Sequence, residues 1–101
     1  MPVLTPVRQT PDGQVVLAGT FLLVDTFGVP LPDMLDALVR RGCIPCWLDF
    51  YRSAVDAGWS ARGTQVKISE AVGDVFGAEY REAFDVRFSE VVQTLEVSDE
   101  D

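Results

Sequence analysis

The sequence predicts an all-α domain, a compact bundle of four or five short helices with a short N-terminal arm or hairpin. Three observations carry that expectation. Apolar residues recur at helical spacing in the second half of the chain, most clearly at Ile68, Ala71, Val72, Val75 and Phe76. Gly28, Gly42, Gly58 and Gly77 fall just past the apolar stretches, where helices stop. Pro32 and Pro45 stand at expected helix starts, where the first N–H needs no partner. The chain of 101 residues is long enough for one domain with its own core. Residues 1–95 are expected to form a single helical domain, with 1–13 as a loose arm. Residues 96–101, "EVSDED", are expected to be an acidic disordered tail.

Taken in order, residues 1–13 contain Pro2, Pro6 and Pro11 and the turn signal "TPDG". The apolar pieces on either side, "VLTPV" and "QVVL", are also compatible with a hairpin. The stretch Gln14–Phe27 is read as a helix from the spacing of Leu17, Phe21 and Val24, with Asp12 as its cap. Its β-branched start leaves a strand as the alternative, because periodicity alone does not separate a strand from a buried helix.

The second helix is expected over Pro32–Arg41. Asp33 and Asp36 favour its positive start, and Arg40 and Arg41 favour its negative end. The third is expected over Pro45–Ala57, with Trp47, Leu48, Tyr51, Ala54 and Val55 on one face. The fourth is expected to start at Thr64 and stop at Gly77. The fifth runs over Ala78–Leu95, with Tyr80, Phe84, Phe88, Val91 and Val92 along one side.

Sixteen Asp and Glu against eight Lys and Arg give a net charge of -8. That balance argues against nucleic acid, whose phosphates are held mainly by clustered Lys and Arg, and it suits a basic protein partner. The sequence has no histidine, which removes imidazole acid–base chemistry and imidazole metal ligation. Two cysteines without histidine do not complete a zinc site within one chain. The carboxylate pairs Asp33/Asp36 and Glu79/Glu82 lie where a helix start favours negative charge, so they need no catalytic explanation. No catalytic residue, metal or cofactor is expected. No apolar run approaches the ~18–20 residues that cross a bilayer, and the N-terminus lacks the basic start and apolar stretch of a signal peptide. A cytoplasmic location with no membrane contact is the expectation.

The leading functional expectation is therefore a small acidic, non-catalytic protein that binds another protein as an adaptor or inhibitor. A second copy of the chain is one candidate partner. Trp59, Trp47, Arg40 and Arg41 are the candidate interface residues. One alternative is a dithiol redox protein using Cys43 and Cys46, since a helix N-terminus favours thiolate. Against it, the expected lead-in "PDMLDALVRRG" is helical, where such a motif follows the strand of a βαβ unit. A DNA-reading helix–turn–helix over residues 32–57 would carry Asp49 and Asp56 against a single Arg52 on its recognition helix.

The segment Phe21–Leu31, "FLLVDTFGVPL", resembles the Phe-x-Leu-x-Asp-Thr-Tyr/Phe-Gly-x-Pro segment in the helical tRNA-recognition region of alanyl-tRNA synthetases. Arg41-Gly42 and Phe50 extend the likeness, which spans residues 21–50. The resemblance implies helix–turn–helix packing here. It also implies a further alternative function, an RNA- or tRNA-binding helical module.

Overall fold

The computed structural model describes the backbone of residues 4–99 and the side chains of residues 4–95. The chain is mostly helical, but it is not all-α. It runs β1 (Thr5–Gln9), β2 (Val15–Ala18), α1 (Phe21–Asp25), α2 (Leu31–Arg40), β3 (Cys43–Pro45), α3 (Trp47–Asp56), α4 (Ala61–Phe76) and α5 (Ala78–Asp99). The three strands form one sheet in the order β1-β2-β3. β1 and β2 are an antiparallel hairpin, and β2 and β3 are parallel.

The expected loose arm over 1–13 is corrected from Thr5 onward, and the hairpin alternative holds. Thr5 pairs with Ala18 and Gln9 with Val15, around a turn in which Gly13 N–H donates to the Thr10 carbonyl. β1 is exposed along its whole length. It carries Pro6 and an irregularity in register between Pro6 and Arg8, both features that discourage pairing with another chain.

The expected helix over Gln14–Phe27 is also corrected. Val15–Ala18 is a strand, residues 19 and 20 turn the chain, and only Phe21–Asp25 is helical. Leu17 and Phe21 are both in the main core, as the helical reading also required. Both readings bury Leu17 and Phe21, so the β-branched pair Val15-Val16 and the interrupting Gly19 are the signals that separate them.

The third helix begins later than expected. Cys43–Pro45 is a strand, Cys46 is the N-cap, and Trp47 is the first helical residue. Val15 N–H donates to the Gly42 carbonyl and Cys46 N–H to the Leu17 carbonyl. Positions 42 and 46 thus face β2, and by alternation Pro45 turns its missing N–H away from the ladder. β3 is an edge strand, where that arrangement costs no hydrogen bond.

α4 starts at Ala61, not Thr64. Its N-cap is Ser60, whose hydroxyl accepts from Gly63 N–H at 3.0 Å. Thr64 is instead fully buried in the first turn. α5 continues through Asp99, so the expected disordered tail from Glu96 is helical in its first four residues. Residues 100–101 of that tail lie outside the described residues. Among the described residues no helix is long and apolar enough to cross a membrane.

The core lies between the sheet and the helices, with Leu17, Phe21, Leu35, Phe50, Ile68 and Val72 at its centre. Aromatic rings pass through it edge to face. Phe50 lies 5.3 Å from Phe21, 5.8 Å from Trp47 and 6.2 Å from Trp59. Beside this cluster, Thr20 is fully buried and its hydroxyl has no partner among the described residues. An unmatched buried hydroxyl costs about 1–3 kcal/mol. Thr20→Val removes it at nearly constant shape, so the variant is expected to gain about 1 kcal/mol and unfold about 4–8 °C higher. A thermal melt that is unchanged or lowered would contradict this.

Candidate functional site: a groove beside Trp59

The end of α3 fixes Trp59 in place. Gly58 N–H donates to the Val55 carbonyl and Trp59 N–H to the Ala54 carbonyl. That pair of bonds is the Schellman closure, and it needs a left-handed residue, supplied here by Gly58 at φ 105. Ser60 follows at once as the cap of α4. Trp59 is thus held between two capped helix ends. One side of its ring packs edge to face on Phe21 at 5.1 Å, and the residue stays half-buried.

Two clefts meet at Trp59. The larger, about 380 Å³, lies between α4 and the turn 28–32 that joins α1 to α2. The smaller, about 180 Å³, is lined by Trp59, Ser60, Gly63, Thr64 and Lys67. Lys67, like Trp59, lines both. Its ammonium sits 4.4 Å from the centroid of the Trp59 ring, which is cation–π geometry. One and two turns further along α4, the exposed Glu70 and Asp74 line the larger cleft. Neither carboxylate is in an ion pair; the one such pair among the described residues joins Arg40 to Asp36 at 3.0 Å. The opposite wall contains Pro30 and Pro32, which have no N–H to offer. The groove therefore combines an aromatic face, two free carboxylates and a wall poor in donors. That chemistry suits a cation.

The residues singled out from sequence are not brought together. Trp47 opens α3 and is half-buried against Phe50 and Phe84. Arg40 ends α2 in its pair with Asp36, and Arg41 is the exposed C-cap. Trp59 alone of the four lines a groove. Lys67, Glu70 and Asp74 lie off the apolar stripe that marks α4 in the sequence. The signal was their spacing on the polar side of that helix, just after a tryptophan.

Cys43 and Cys46 are both free thiols. The lead-in is helical as expected, since α2 runs into the motif, but Cys43–Pro45 is itself a strand, parallel to β2, where a helix start was expected. The strand itself runs through the motif. Three residues of strand separate the two Cα atoms by about 10 Å, beyond the ~7 Å that a disulfide spans. Cys43 opens the strand, whereas Cys46 lies past its end as the N-cap of α3. Cys43 packs against the main core, with its thiol 3.6 Å from the Arg41 carbonyl. Native protein treated with a mild oxidant is expected to keep both thiols alkylatable, as read by intact mass. Rapid loss of both in a monomer that keeps its fold would contradict this geometry.

Comparison with family models, with curated proteins and with solved structures finds no match to this chain.

Proposed function

We propose that this protein is a non-catalytic binding module that takes a Lys- or Arg-bearing segment of a protein partner into the groove between α4 and the 28–32 turn. The observation that carries the reading is the ammonium of Lys67 on the face of Trp59. The protein's own side chain occupies the aromatic face as a partner's cation would. Glu70 and Asp74 line the same cleft and are in no ion pair among the described residues. Displacing Lys67 replaces one cation–π contact with another, an exchange of about 0.5–1 kcal/mol each way at an exposed site. The net gain then comes from the two carboxylates and from the long-range attraction of a chain at -8.

Calorimetric titration with an oligolysine peptide and with an oligoglutamate peptide of equal length tests the reading. The basic peptide is expected to bind, with affinity falling as salt rises, and the acidic one is not. Equal heats from the two peptides, or none from either, would refute it.

A further inference from the structure

On the other side of α4, toward α5, lies a third cleft, of about 350 Å³, and its chemistry is the reverse of the groove beside Trp59. Arg62 from α4 and Arg81 from α5 both line it. Every other Lys and Arg among the described residues is exposed, whereas Arg81 is half-buried. Its burial is built into the helix beneath it. Gly73 lies in the interior of α4, where glycine costs about 1 kcal/mol relative to alanine. A Cβ there would stand 2.8 Å from Arg81 Cδ, so the missing side chain is the space through which the arginine stem passes. Arg81 Nε then donates to Ser69 Oγ at 2.8 Å. One edge of the guanidinium is anchored and the other keeps its donors. Neither arginine is in an ion pair among the described residues.

We propose that this cleft binds a small monocarboxylate with an apolar body, its carboxylate held by Arg81 and Arg62. Guanidinium presents paired N–H groups that match a carboxylate. Asp85 also lines the cleft and leaves the site with a single net positive charge, which favours a monoanion over a phosphate dianion. Phe88 and Val66 supply the apolar surface for the rest of the ligand. None of these residues belongs to the groove beside Trp59, so the two sites are tested separately.

The test is heteronuclear NMR titration of the full chain with 3-phenylpropanoate, 3-phenylpropan-1-ol and inorganic phosphate. The carboxylate is expected to shift the amides of Ser69, Arg81 and Phe88 saturably, and more strongly than either other probe. Arg81→Gln is expected to weaken binding about tenfold or more, the scale of a lost charge-assisted hydrogen bond. Arg62→Gln changes an exposed residue that has no fold to hold, and it is expected to weaken binding as well. Gly73→Ala keeps both charges but displaces the Arg81 stem, and it too is expected to lose affinity. No saturable shift, equal response to the alcohol, tighter binding of phosphate, or wild-type affinity in the Arg81 and Arg62 variants would each overturn the proposal. Wild-type affinity in Gly73→Ala alone would overturn the anchoring of Arg81 as its basis.

Discussion

Phe50→Ala is expected to destabilise the protein by about 3–5 kcal/mol, the range for truncating a fully buried aromatic. Phe50 has no exposed surface and meets Phe21, Trp47 and Trp59 edge to face. Its removal leaves a cavity among Phe21 of α1, Trp47 of α3 and Trp59 just ahead of α4. A domain of this size has about 5–15 kcal/mol in all, so the variant should unfold about 12–40 °C lower. Val86→Ala is the control: Val86 is 63% exposed, and the change should stay within about 0.5 kcal/mol. The near-ultraviolet signal of the tryptophans should fall with Phe50, since Trp59 loses its backing. A loss below about 1 kcal/mol would mean that the aromatic cluster is not the keystone of the core.

The double reversal Glu70→Lys/Asp74→Lys is expected to weaken binding of a basic peptide about tenfold or more while leaving the fold intact. Both residues are exposed on α4, so their effect on stability should stay small. With Lys67 in place, the groove passes from one net negative charge to three positive. Each exposed charge contact is worth about 0.2–1 kcal/mol, and each reversal turns an attraction into a repulsion. Together the two changes amount to about tenfold or more in affinity. The same two substitutions on a helix surface remote from the groove would lower affinity only through net charge, and high salt would erase that difference. If the double variant binds the basic peptide as well as the parent does, the carboxylates are not part of the binding surface.

The sequence made the helical half of the chain legible. α2, α4 and α5 stand close to where their apolar spacing and flanking glycines placed them, because an amphipathic stripe has only one face to bury. The sheet was harder to see. Cys43–Pro45 is three residues long, too short to show any period, and Pro45 is as well suited to a helix start as to an outward position on an edge strand. Val15–Ala18 buries its middle residues whether helical or extended. In both cases the deciding term is the backbone hydrogen bonding between β2 and β3, distant segments whose pairing no local pattern records. The segment resembling alanyl-tRNA synthetases contributes its glycine–proline turn to one wall of the groove beside Trp59, a role set by the backbone at residues 28–32. The two clefts were hidden for a related reason. Lys67 reads from the sequence as one more solvated cation, and Gly73 as a weak point in a helix. Each acquires a role only when Trp59 and Arg81 arrive from neighbouring elements.

The most direct measurement follows the two indole N–H signals in a nitrogen–proton spectrum during titration with the basic peptide. Trp59 lines the groove and Trp47 is packed against Phe50 and Phe84 on the far side of the ring cluster, so the second serves as an internal reference. A groove that takes a cationic segment will move the Trp59 signal saturably and leave that of Trp47 nearly still. If both signals stay fixed at saturating peptide, or move together, the partner does not sit on Trp59 and the binding account is wrong.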